Sequence, residues 1–284
     1  MEIIIASRAG ACYGVQRALN LAQQAAQSGG DVQTLGSLIH NPQVVAELAA
    51  SGVEAVSKPE DLTASRVIIR SHGVTPQVRE GIEQAGADII DATCPHVLRA
   101  QQAARELALE GRLVIVVGEE SHPEVEGLRA WAEQAGGQVV VAATPDDVPP
   151  QIDGSVGIVV QTTQRREKLD AIIDVLKSRG IKAEIRDTIC SATSTRQEAA
   201  AELASQVDVM VVIGGHNSSN TTRLFEICRA RSPQAFHIES PDELQSADFK
   251  GAQRVGVTAG ASTPEDQIES VIERLRSFAE SQEE

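Results

Sequence analysis

Three of the four cysteines share one local setting, at the end of an apolar run and the start of a long helical pattern. They are Cys12 in EIIIASRAGACYGVQRALNLAQQ, Cys94 in ADIIDATCPHVLRAQQAARELAL and Cys190 in AEIRDTICSATSTRQEAAAELA. Thiolates are soft donors that select iron–sulfur clusters, zinc or copper(I). No CxxC pair is present, which counts against a zinc ribbon or a thioredoxin-type dithiol. A cubane cluster ordinarily takes four cysteines, so three would leave one iron open to substrate, able to act as Lewis acid and electron donor. The fourth cysteine, Cys228 in RLFEICRA, sits inside a helical pattern and reads as buried apolar filler.

The residue 28 positions after each of the three cysteines is His40, His122 or Ser218. A further loop carries His72, Thr162 or Ser262, at offsets of 60, 68 and 72. These loops lead into apolar helical patterns, and helix N-termini offer unpaired N–H groups and partial positive charge to an anion. Histidine, serine, threonine and asparagine there can donate to phosphate oxygens. Serine, threonine and asparagine are also ordinary N-caps, whereas histidine is a poor one, so three histidines at such places point to a ligand. Glu124, two residues past His122 in SHPEVEGL, is the candidate proton donor, with Thr162 placed to orient it or a substrate hydroxyl. His96, His216 and His237 fall outside the repeated register and read as structural.

Short Val/Ile-rich runs alternate with amphipathic stretches along the whole chain, as in RLVIVVG before EVEGLRAWAEQAG and VDVMVVIGG before TTRLFEICRA. That alternation predicts an α/β fold of successive βα units with mostly parallel strands. The repeated cysteine register divides the chain into three tandem copies, residues 1–86, 87–183 and 184–284, each with three βα units. In parallel α/β structures ligands bind beyond the carboxyl ends of the strands, so the candidate loops would face one point if the copies packed around a pseudo-threefold axis. The stretch TPDDVPPQIDGS, residues 144–155, is expected to be a long surface loop, and the terminal ESQEE to fray.

At 284 residues and 42% apolar composition the chain can bury a full core. A formal charge of -15 argues against nucleic acid or an anionic membrane as partner, and 2% aromatic content leaves few base-stacking platforms. The opening MEIIIASRAG has neither a basic leader nor a membrane-spanning run, so a cytoplasmic location is expected. A reducing compartment disfavours disulfides and leaves the cysteines for chemistry or for packing.

The segments CYGV, IHN, SHGV, DATCP, HPEVEG, QTT, TICSAT with TRQ, NSSN and GVTAGAS run in order from Cys12 to Ser262. In these the chain resembles the 4-hydroxy-3-methylbut-2-enyl diphosphate reductases of the methylerythritol phosphate route to isoprenoids. The resemblance implies a trefoil of three αβα domains around a [4Fe-4S] cluster on Cys12, Cys94 and Cys190. One iron would lack a protein thiolate, so loss of that iron would leave a [3Fe-4S] form. It also implies diphosphate binding by His40, His72, His122, Ser218, Ser219, Asn220 and Ser262, proton delivery by Glu124, and placement of the substrate alcohol by Thr162. Electrons would come from ferredoxin or flavodoxin, and the products would be isopentenyl and dimethylallyl diphosphates. The chain departs from the family pattern at Tyr13, His96 and Ser121, and in EGLRAW after Glu124. The rival reading is an iron–sulfur electron carrier or sensor without substrate turnover, which has no use for the histidine and serine loops.

Overall fold

The computed structural model describes residues 1–280; residues 281–284, most of the tail expected to fray, lie outside the described residues. The strands are β1 (Glu2–Ile5), β2 (Val32–Leu35), β3 (Val53–Val56), β4 (Arg66–Ile69), β5 (Asp88–Asp91), β6 (Leu113–Val117), β7 (Val139–Ala142), β8 (Val156–Val160), β9 (Ala183–Arg186), β10 (Val209–Ile213), β11 (Gln234–Ile238) and β12 (Arg254–Ala259). The helices are α1 (Tyr13–Gln27), α2 (Pro42–Ala50), α3 (Pro76–Gln84), α4 (Pro95–Leu109), α5 (Pro123–Gln134), α6 (Arg166–Ser178), α7 (Ser191–Ala204), α8 (Ser219–Arg229) and α9 (Glu265–Glu280). The strands form three four-stranded sheets in which the pairs are parallel, as the alternation predicts.

The chain divides into two compact units. One comprises Met1–Val15, His40–Gln43 and the chain from Ser191 onward, and holds the sheet ordered β1-β12-β10-β11. Strand β10 shows how it is built. Val209, Val211 and Ile213 face one way, onto Ile268, Val271, Ile272 and Leu275 of α9. Met210 and Val212 face the other way, onto Ala200, Leu203 and Ala204 of α7 and Leu224 of α8. A strand covered on both faces reads as an unbroken apolar run, which is why VMVVI shows no polar alternation.

The other unit comprises Gln16–Ile39 and Val44–Cys190 and holds two sheets, ordered β3-β2-β4-β5 and β7-β6-β8-β9. Strand β6 repeats the two-faced pattern. Val114 and Val116 pack on Ala104 and Leu107 of α4 with Val125 and Leu128 of α5, while Ile115 and Val117 pack on Leu169, Ile172 and Leu176 of α6. Helix α4 comes close to β8 at Gly157, where an added Cβ would stand 2.7 Å from a Leu107 methyl. Leu203 of α7 has the same relation to Gly256 of β12, with a Cβ there 3.1 Å from its Cγ. Leu107 and Leu203 each lie 13 residues past a cysteine, so the packing follows the repeat.

Two features depart from the expected layout. Each sheet has four strands where three βα units were expected, because β3, β7 and β11 were not foreseen. Each of these is followed by a proline-led 3-10 turn, at Pro59–Asp61, Pro145–Asp147 and Pro241–Glu243, and no amphipathic helix marks it. The middle turn lies in the stretch expected to be a plain loop, where Asp147 Oδ2 accepts the Thr144 N–H at 2.7 Å. The strands that run into cysteines, β5 and β9, pair with the strands before them, β4 and β8. The cut at 86/87 therefore passes between the hydrogen-bonded neighbours β4 and β5, the cut at 183/184 falls within β9 itself, and β1 closes the sheet of β10 to β12. Among the described residues, no helix is long and apolar enough to cross a membrane.

Candidate active site

Each of the three register cysteines immediately precedes a helix: Cys12 before α1, Cys94 before α4 and Cys190 before α7. Cys94 is the N-cap of α4, with Pro95 at a position where the missing N–H does no harm. All three backbone N–H groups are held alike. Cys12 donates to Ala261 O at 3.1 Å, Cys94 to Ser71 O at 3.0 Å and Cys190 to Thr162 O at 2.9 Å. The accepting carbonyls belong to, or directly precede, Ser262, His72 and Thr162, so each cysteine is tied to one candidate substrate residue within its own unit. The three thiols form no disulfide and are half-buried at helix N-termini, a donor type and placement that suit metal ligation. Cys228 differs. It is fully buried against α7, with Sγ 4.0 Å from Ala200 O, and burial pushes its pKa up to about 12, opposed by Arg231.

Helix α5 and the loop after β8 build a corner around Glu124. His122 is the N-cap of α5, and its Nδ1 accepts the Glu124 N–H at 3.1 Å. In the neutral ring the proton then sits on Nε2, which is left to donate. Glu124 is 1% exposed. Its Oε1 accepts the Thr162 N–H at 2.6 Å and its Oε2 the Thr162 hydroxyl at 2.9 Å. The His72 ring stands edge-on to that of His122, with centroids 5.6 Å apart and planes at 82°. The structure thus brings His72, His122, Glu124, Thr162 and Cys190 into one connected arrangement. Ser121, where the chain departs from the family pattern, is exposed beside it.

The unit that includes the chain from Ser191 onward carries a corner of another kind. Ser218 is the N-cap of α8, its Oγ accepting the Thr221 N–H at 3.4 Å. Asn220 is 5% exposed, yet neither Nδ2 nor Oδ1 has a hydrogen-bond partner among the described residues. Ser262 is buried and its hydroxyl donates to His40 O at 3.0 Å; Ser219 is half-buried on the first turn of α8. His216 and His237, read as structural, buttress this loop: their rings lie 4.4 Å apart, and His237 Nε2 is 2.9 Å from Gly214 O.

Asn41 was not singled out as a site residue from the sequence. It is buried, and its Nδ2 donates to Ser262 O and to Gln267 Oε1, both at 2.9 Å, which fixes the segment bearing His40. The signal was available: an asparagine directly before a proline-led helix is an N-cap pattern.

The family model described as LytB protein matches residues 3–276. Among curated relatives, the 4-hydroxy-3-methylbut-2-enyl diphosphate reductase of Geobacter sulfurreducens is 45% identical over 280 residues, covering 98% of each chain. That of Aquifex aeolicus is 43% identical over 284 residues, covering 99% of this chain and 98% of its own. Among solved structures, one of an (E)-4-hydroxy-3-methyl-but-2-enyl diphosphate reductase is 42% identical with a TM-score of 0.71, covering 98% of this chain and 100% of its own. The Plasmodium falciparum reductase is 25% identical with a TM-score of 0.90, over 96% of this chain and 87% of its own. With its parallel sheets, its cysteine register and these matches along nearly its whole length, the chain belongs to the LytB protein family.

Proposed function

We propose that this protein is a 4-hydroxy-3-methylbut-2-enyl diphosphate reductase. It takes up two electrons and two protons, breaks the allylic C–O bond, expels water, and forms isopentenyl and dimethylallyl diphosphates. The observation that carries the reading is the chain Glu124–Thr162–Cys190. One threonine donates both its N–H and its hydroxyl to a buried carboxylate, at 2.6 and 2.9 Å, while its carbonyl holds the N–H of a candidate metal ligand at 2.9 Å.

Cys12, Cys94 and Cys190 would hold a [4Fe-4S] cluster with one iron free of protein thiolate. The donor set fits: three half-buried thiols outside any disulfide head helices, and Cys228 is sealed in a core and unavailable as a fourth ligand. When bound, the cluster supplies electrons and a Lewis-acidic iron. Ferredoxin or flavodoxin is the donor assigned, since both deliver single electrons. The segments 1–86, 87–183 and 184–284 would each contribute one cysteine and two loops.

His40, His72, His122, Ser218, Ser219, Asn220 and Ser262 bind the diphosphate. These groups donate hydrogen bonds without requiring fixed cations, which suits a protein of charge -15. His122 donates from Nε2, because its Nδ1 is engaged by the Glu124 N–H. Thr162 orients the substrate alcohol through its hydroxyl. Glu124, held at both carboxyl oxygens by Thr162, passes a proton toward the leaving oxygen. Burial of this pair excludes water from the proton path.

The test is iron and sulfide analysis of anaerobically purified protein, followed by turnover with a chemical reductant and product identification. Iron, sulfide and both five-carbon diphosphates are expected. Iron-replete protein that binds the substrate but forms neither product would refute the reading. Cys94→Ser is expected to abolish the iron–sulfur absorbance, and an intact cluster in that variant would remove Cys94 from the ligand set.

A further inference from the structure

Two arginines outside the proposed ligand and substrate residues grip the loops that carry cysteines. Arg17, on α1 five residues past Cys12, donates from Nη1 to Thr93 O at 3.2 Å and from Nη2 to Asp91 O at 3.1 Å. Those carbonyls lie one and three residues before Cys94. Arg196, on α7 six residues past Cys190, donates from Nη2 to Gly10 O at 2.7 Å, two residues before Cys12, and from Nη1 to Ala192 O at 3.1 Å. Each contact lies within one compact unit, so the same device occurs once in each. In both cases an arginine that follows one cysteine by a turn and a half holds the loop of another.

A loop needs no cation to be held, as Asn41 shows with its carboxamide on Ser262 O. Burying a guanidinium carries a desolvation penalty that a neutral donor avoids. Arg196 is 5% exposed, and it lines a cavity of about 400 Å³ together with Cys12, Arg8, Tyr13, Ser191 and Thr195. A unit positive charge in such surroundings acts more strongly on nearby negative charge than it would in water. Arg17 is half-buried and makes no ion pair among the described residues; the partners of its guanidinium are main-chain carbonyls.

We propose that Arg17 and Arg196 are positioning residues that hold the cysteine loops with a positive charge, and so favour acceptance of an electron by the iron–sulfur group. The proposal rests on the reading that Cys12, Cys94 and Cys190 ligate a cluster. Each reduction adds one electron from the donor, which is oxidised by one, and so adds one negative charge to the cluster. A cation fixed beside the ligand loops stabilises that state relative to the oxidised one. Arg196, the more deeply buried, has the larger effect.

The test uses anaerobically purified holoprotein and reads the reduced fraction of the cluster spectroscopically at a fixed reductant poise. Arg196→Gln is expected to lower the ratio of reduced to oxidised cluster about tenfold, equal to about 59 mV for one electron. Arg17→Gln should lower it roughly threefold, and Arg196→Lys should stay within about twofold of wild type because the charge is kept. Glutamine variants with full iron content and the wild-type ratio overturn the proposal, as does a lysine variant that falls as far as its glutamine counterpart. Should Arg196→Gln shed its iron, the lysine variant decides: the wild-type ratio supports the charge, and a tenfold drop refutes it. Wild-type protein purified without iron and sulfide overturns the underlying reading, and the proposal with it.

Discussion

The corner around Glu124 and the corner around Asn220 are built on the same plan and finished differently. In both, a capping side chain heads a helix that follows a central strand, with His122 before α5 and Ser218 before α8. Around Glu124 the hydrogen bonding is closed within the protein, since both carboxylate oxygens take their donors from Thr162. Around Asn220 it is open: a buried carboxamide has no partner for either polar atom among the described residues. Buried polar groups are nearly always paired, so an open pair inside a fold points outward to a ligand. A closed pair, by contrast, is organised before any ligand arrives. On the proposed function the first corner moves a proton and the second binds, and substitutions in the two should separate along that line.

The largest separation is expected in turnover. Glu124→Gln keeps the shape of the side chain and at least one of its bonds to Thr162 but removes the transferable proton. Loss of a positioned acid lowers rate by about 10²–10⁴-fold. The variant should retain its iron and its affinity for the diphosphate, so kcat falls while the binding constant barely moves. Full turnover, or loss confined to KM, would remove Glu124 from the proton path.

Asn220→Ala should do the reverse. If the carboxamide bonds to substrate, its loss weakens binding by about 1–3 kcal/mol, roughly 5- to 150-fold. The substitution takes no hydrogen bond from the free protein, so the unfolding midpoint should hold or rise. Calorimetric titration with the diphosphate and a thermal melt on one preparation check both halves. A variant that melts markedly earlier and binds normally would show that Asn220 is structural.

Thr162→Val attacks the closed corner from its other side. It strips the donor from Glu124 Oε2 and leaves that oxygen buried, at a cost of about 1–3 kcal/mol in stability of the substrate-free protein. Thr162→Ser restores the hydroxyl and should recover most of the loss. If valine and threonine forms melt together, the corner is not closed as described, and the contrast with Asn220 weakens.

Much of this was legible in the sequence because it follows a register. The cysteines, the loop residues 28 positions later and the parallel βα alternation all repeat, and the repeat survives into packing, as Leu107 over Gly157 and Leu203 near Gly256 show. A second repeat went unread. KPED, TPDD and SPDE, at 58–61, 144–147 and 240–243, each begin one residue before a 3-10 turn that follows an unforeseen strand. A strand of four residues such as VEAV carries too little pattern to stand out without a helix after it. Partner choice was hidden for a different reason. EIII, DIID and AEIR show that a strand precedes each cysteine, but nothing in their side chains says which neighbour it joins, and all three pair with a strand of the sheet opposite to the assumed cut. The reach of Arg17 and Arg196 to main-chain carbonyls leaves no trace in sequence, since any carbonyl can accept.

The smallest expected effect tests whether acid sensitivity belongs to the open corner. His237 supports Gly214 O at 2.9 Å, at the start of the loop that leads to Ser218 and Asn220. Burial holds its pKa below the ordinary histidine value, with the Gly214 carbonyl acting against the shift, His216 adding to it, and Glu239 and Glu243 opposing it. Because the folded value lies below the unfolded one, the unfolded chain binds the proton more readily across the interval between them. The stabilisation is complete above the unfolded pKa, near 6.5, and is lost as pH falls through that interval. The urea midpoint should therefore decline on acidification below about pH 6.5, and His237→Gln should flatten the decline. Equal slopes in the two proteins would place the acid sensitivity elsewhere in the fold.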